Sequence, residues 1–158
     1  MAAPLFVATF LWVGLWVGLS VGMALPADAM RRESLTLVTA QARHVIDAEI
    51  TETPEEMQRG LMFRTHLADK AGMLFSYDEP REVTMWMENT HIPLDMVFIR
   101  ADGVVHRIQA WTEPFSRATI PSRGKVLAVL ELAAGSAERL GLKPGDRVEH
   151  SAFKPAKK

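Results

Sequence analysis

The stretch VTMWMENTHIPLDMVFI, residues 83–99, sets a tryptophan between two methionines, then a polar Asn89-Thr90-His91 step, then a lone aspartate inside an apolar run. In an extended chain Val83, Met85 and Met87 share one face, and Thr84, Trp86 and Glu88 share the other. Trp86 and the methionines therefore cannot pack against the same layer. An exposed Trp86 beside Asn89 and Thr90 offers a stacking plane and an indole donor, which suit a sugar ring or another flat polar ligand. A buried Trp86 makes the same residues a packed turn, with Asn89 and Thr90 as turn formers. Asp95 falls on the strand face of Val97 and Ile99, where a carboxylate must be paired. Its partners are either the backbone amides of the 89–93 turn or a ligand.

Three other charged positions have chemical potential. Arg59 and Arg64 can hold an anionic group, although pairing with Glu or Asp is the commoner fate of such arginines. Glu131, the one charged residue of an apolar strand, is a candidate buried partner for them. Asp95 and Glu131 could also form an acid and base pair of the glycosidase kind, but nothing in their spacing supports it. The five histidines show no metal-ligand spacing, and no metal or cofactor is expected. Six methionines from Met57 to Met96 could supply a thioether copper site, yet most lie in apolar runs where core packing is the expected role. No nucleophile elbow, phosphate loop or dinucleotide fingerprint is present.

These residues must be positioned by short elements. Leu35–Ala40 and His44–Glu52 read as strands, the second alternating Ile46, Ala48 and Ile50 with Asp47, Glu49 and Thr51. Thr53-Pro54-Glu55-Glu56 is a helix start with a capping box, and Gly60 ends that helix. Gly72–Tyr77 and Val83–Met87 read as strands joined by a turn at 78–81. Met96–Arg100 and Val104–Ile108 form a hairpin about Asp102-Gly103. Residues 111–124 read as an irregular connection. Val126–Leu132 reads as a strand buried on both faces, Ser136 as the cap of a second short helix, and Arg147–His150 as a last strand. The expected fold is α+β and mostly β, a compact barrel-like antiparallel sheet with two short helices.

The chain of 158 residues, 48% hydrophobic and 23% charged, has room for one domain, expected at residues 30–153 with a frayed tail at 154–158. A formal net charge of −1 gives no electrostatic reason to expect nucleic acid as a partner. There are no cysteines, which removes disulfides and thiol chemistry. Residues 2–25 carry no charge and Ala27-Asp28-Ala29 follows them, so residues 1–29 read as a signal peptide cleaved after Ala29. The mature protein is then periplasmic or secreted. Residues 2–25 are also long enough to remain as a membrane anchor, flanked by Arg31 and Arg32, and Met30 could itself be the start of a cytosolic chain.

Thr53-Pro-Glu-Glu56, Arg59-Gly-Leu-Met-Phe-Arg64, Gly72-Met-Leu-Phe75, Trp86-Met87, Asn89-Thr90, Ile92-Pro-Leu-Asp-Met96, Val129-Leu-Glu-Leu132, Gly141 and Gly145-Asp146 occur in that order. Together they resemble the domain of unknown function family number 192, over about Val45 to Val148. The resemblance implies a small, largely β fold, and no activity. It also implies two departures, Glu88 where the family has lysine and Met57 where it has arginine, both of which remove positive charge.

The resulting expectation is an exported, non-enzymatic binding or accessory module of the cell envelope. Its partner is a small polar ligand or an envelope component, and its ligand-binding candidates are Trp86, Asn89, Thr90, Asp95 and Arg64. The alternative is a hydrolase or lyase of envelope glycans that uses Asp95 and Glu131.

Overall fold

The computed structural model of the protein describes residues 30–153; the signal segment or anchor expected at 1–29 and the tail at 154–158 lie outside the described residues. Alternation of apolar and polar residues draws β1 (Arg32–Val38) and β2 (Arg43–Thr51) into an antiparallel hairpin that pairs Leu35 with Ile46 and Leu37 with His44. The capping box forms as expected: the Thr53 hydroxyl accepts from the Glu56 amide at 3.1 Å, and the Glu56 carboxylate accepts from the Thr53 amide at 3.0 Å. It starts α1 (Pro54–Arg59).

β3 (Ala71–Arg81) then returns parallel to β2, with Ile50 opposite Leu74. The sheet is thus mixed at this one pairing rather than antiparallel throughout. The physical reason is the connection: α1 and residues 60–70 supply the length that a parallel crossover requires. β3 also does not turn at 78–81 but continues to Arg81 through a register shift against its neighbour β8 (Val126–Ala133). Of the strand expected at Val83–Met87, only β4 (Thr84–Met85) forms. It pairs with β7 (Ile120–Pro121), inside the stretch expected to be irregular.

β5 (Leu94–Ile99) and β6 (Val105–Gln109) make the expected hairpin, and β8 lies between β3 and β5. α2 (Ser136–Arg139) follows, and β9 (Arg147–Glu149) pairs with β1. Gly135, in the left-handed region, occupies the cap position of α2 instead of Ser136, whose buried hydroxyl accepts from Arg139 at 2.9 Å.

The seven-stranded order β6-β5-β8-β3-β2-β1-β9 curls until its edges meet. Val104 bridges Arg147, the Val105 amide donates to the Asp146 carbonyl at 2.8 Å, and the Val148 amide donates to the Gly103 carbonyl at 2.7 Å. Curling gives the sheet an inner and an outer face. The inner core collects Leu35, Leu37, Ile46, Leu74, Val97, Ile99, Leu130 and Leu132. A second core on the outer face of β3, β5 and β8 joins Met73, Phe75, Met96, Phe98 and Val129 to Leu61, Val83 and Met87 from the covering segments. β5 and β8 are buried on both faces, which is why they read as continuous apolar runs. Among the described residues no helix is long and apolar enough to cross a membrane.

Candidate functional site

Strand alternation on β8 sends Leu130 and Leu132 to the inner core and Val129 and Glu131 to the outer face. Glu131 stands in register between Met73 of β3 and Met96 of β5, both fully buried, so its neighbours across the ladder are thioethers. Its side chain is 4% exposed and lines a cleft of about 570 Å³. Among the described residues no hydrogen bond or ion pair reaches its carboxyl. Burial alone pushes its pKa up to about 8.

α1 forms one wall of the cleft through Pro54, Met57, Gln58 and Arg59, and continues into Gly60–Met62. The helix lies close to the sheet because residue 60 is glycine: its φ is +47°, and a Cβ there would meet the Phe75 ring at 3.0 Å. The opposite wall is the segment from Arg81 to Trp86. Phe75, Tyr77, Thr90 and Glu131 complete the lining. The Arg81 guanidinium lies 4.5 Å over the Tyr77 ring. Burial raises the pKa of the Tyr77 hydroxyl, with Arg81 pulling it down and Glu131 adding to the rise.

The structure divides the residues expected to form the site. Trp86 is 45% exposed on the cleft wall, so of its two readings the core one is set aside. The alternation expected of the stretch holds in part: Val83 and Met87 pack in the outer core, but Met85 lines the cleft together with Trp86. Thr90 is buried and lines the cleft. Asn89 adopts φ +56° on the exposed turn beside it, and its carbonyl accepts from the Phe63 amide at 2.8 Å.

Arg64 and Asp95 do not line the cleft. Arg64 donates to both oxygens of Glu49, at 2.8 Å to Oε1, and Arg32 binds the same carboxylate at 2.9 Å. Burial raises the pKa of Glu49, and the two arginines outweigh it, leaving the group below its ordinary value. The pairing fate of Arg64 is therefore realised, with Glu49 as its partner rather than Glu131.

Asp95 is fully buried and structural, through other amides than those of the 89–93 turn. Oδ1 accepts from the Trp111 amide at 3.0 Å, and Oδ2 from the Ala137 amide at 2.8 Å. Backbone bonds hold the 89–93 turn instead, the Thr90 amide donating to the Met87 carbonyl and the Phe115 amide to the Thr90 carbonyl, each at 3.1 Å. Asp95 opposes Leu132 and shares its strand face with Val97 and Ile99, on the inner side of the sheet. Glu131 is on the outer side. A two-carboxylate reaction centre needs both groups on one cleft, and Asp95 and Glu131 do not meet that requirement as a pair.

Sequence reasoning missed Tyr77, Arg81 and Met57 as parts of the site, and it gave Glu131 the wrong partners. The signal for Glu131 was present: one acid in an eight-residue strand whose other members are all apolar. Met57, Met62 and Met85 line the cleft, while Met73, Met87 and Met96 pack in the core beneath it. Among the described residues no three His, Asp or Glu side chains converge as a metal would require.

Residues 36–150 match the DUF192 family model, described as uncharacterized ACR. A search of curated proteins finds no match. Among solved structures, one from Sinorhizobium meliloti 1021, whose name proposes a transcription regulator, is 43% identical, with 79% of this chain and 98% of that one covered and a TM-score of 0.77. A protein of unknown function from Novosphingobium aromaticivorans DSM 12444 is 42% identical, with 80% and 90% covered and a TM-score of 0.76.

Proposed function

The chain belongs to the DUF192 family, and from that premise we propose that it is an exported binding or accessory module of the cell envelope, its site the cleft between α1 and residues 81–86. One observation carries the binding role: a buried carboxyl without a protein partner lines an open cleft whose walls are part apolar and part polar. A fold keeps a desolvated carboxyl without a charged partner only at a cost in stability, and such groups concentrate where a ligand pairs with them. A binding role is favoured over a reaction because the cleft presents a single buried acid, with the nearest acid on the neighbouring strand facing the other side of the sheet. The cleft volume is that of a small-molecule site.

Export rests on the composition of residues 1–29 and on the small residues that precede Met30. A formal net charge of −1 gives no electrostatic reason to carry over the regulator name of the S. meliloti relative.

Two measurements test the reading. Cell fractionation of the tagged chain should recover it outside the cytoplasm, and recovery in the cytosol removes the export half. Small aromatic fragments should shift the methyl resonances of Met57, Met62 and Met85 in NMR spectra; if hits cluster elsewhere, the cleft is not the site.

A further inference from the structure

We propose that the cleft takes a ligand with an apolar or aromatic body and one cationic nitrogen head, an ammonium, amidinium or guanidinium that pairs with Glu131. The inference rests on the cleft being the binding site and adds the class of its ligand.

The first support is what surrounds the carboxyl. Met73 and Met96 flank it across the ladder, and the aromatic side chains of Phe75, Tyr77 and Trp86 line the cleft. Thioethers are polarizable, and aromatic faces attract cations. One cation already uses such a face, since Arg81 is stacked on Tyr77.

The second support is hydrogen-bond capacity. A neutral carboxylic acid has one proton to donate and an oxygen that still needs a donor, so a ligand offering only acceptors leaves that oxygen unmatched. A cationic nitrogen brings several N–H donors and a charge that repays ionising the acid. The charged groups lining the cleft are Arg59 from α1, Arg81 at the end of β3, Glu82 just after it, and Glu131 from β8. The Glu131 pKa is moved by burial and by no arginine, so a positive head at this carboxyl has no cation there to displace.

The binding step transfers a proton and breaks no other bond: Glu131 gives its proton to solvent and the ligand cation takes its place. Affinity therefore rises with pH, by about tenfold per unit below the pKa of the acid, and levels off above it until the ligand nitrogen loses its own proton.

Calorimetry of the full chain with benzylamine and with its neutral isostere benzyl alcohol, between pH 6 and 9 in two buffers of different ionisation enthalpy, tests this. Benzylamine should bind more tightly than the alcohol, release close to one proton per site at pH 7, and gain about tenfold in affinity from pH 6 to 7. Glu131→Gln should abolish the proton release and weaken the amine about tenfold or more while leaving the alcohol unchanged. The pH profile and proton count of the wild type stand even if that variant does not fold. Binding of both probes in the cleft with equal affinity and no proton release overturns the ligand class and leaves the cleft standing. Tighter alcohol binding at low pH assigns Glu131 as a neutral donor and also overturns the class. Failure of both probes to shift the Met57, Met62 and Met85 methyls overturns the cleft reading with it.

Discussion

Two buried acids stand one register position apart on neighbouring strands and meet opposite conditions. Asp95 on β5 faces the inner core and receives two backbone amides; Glu131 on β8 faces the outer cleft and receives none. The first closes the fold. It ties the 111–112 corner, where Trp111 is held at φ +51°, to the first turn of α2. The second contributes nothing to closure and is carried at a cost. A buried carboxyl is thus not informative by type: its partners decide whether it belongs to the architecture or to a ligand.

Replacing each acid should separate the two roles, with opposite signs. Asp95→Ala orphans one buried and one part-buried amide and opens a cavity, and should cost about 3–4 kcal/mol, lowering the thermal midpoint by about 10 °C. A loss under about 1 kcal/mol breaks the comparison.

Glu131→Gln should stabilise the protein at neutral and higher pH. The folded-state pKa of Glu131 is above its unfolded value, so its contribution is intact below about pH 4.5 and is lost as pH rises through about 8. At pH 7 to 8 the variant should exceed wild type by about 3 kcal/mol, read as a midpoint about 10 °C higher, and the gap should close near pH 4.5. A gap that is constant with pH means that Glu131 does not titrate in this range.

Glu49→Gln should cost about 1–2 kcal/mol, because Arg64 and Arg32 lose a largely buried partner. Since the Glu49 pKa is depressed, its stabilisation is present above its unfolded value and fades as pH falls, the reverse of Glu131. Denaturant titration of the variant at pH 7 and pH 3 shows this as a deficit that shrinks in acid. Smallest of all, Trp86→Ala should move stability by about 0.5 kcal/mol or less, as an exposed side chain, while weakening fragment binding in the cleft.

Much of the architecture was legible in the residues. The capping box at Thr53, the Asp102-Gly103 hairpin and the two-sided burial of β8 each have a local cause, and each formed. The parallel return of β3 was not legible, because strand periodicity carries no direction. The site was legible by halves. Alternation placed Trp86 opposite Met85 and Met87, yet it says only which side chains share a face, and not whether that face meets solvent, core or cleft. Asp95 and Glu131 looked equivalent for that reason: both are lone acids in apolar strands, and the ladder register that sends them to opposite sides is a property of the folded sheet.

The position of β8 has a consequence for how the chain matures. The β1–β2 and β5–β6 hairpins are local and can form early, but the strand that joins their two halves of the sheet, between β3 and β5, is residues 126–133. The sheet therefore cannot close before residues 126–133 are available, however early the two hairpins form. A central strand that comes after both of its neighbours in the chain serves as a built-in delay: it postpones cooperative closure until β3 and β5 are already in place on either side of it.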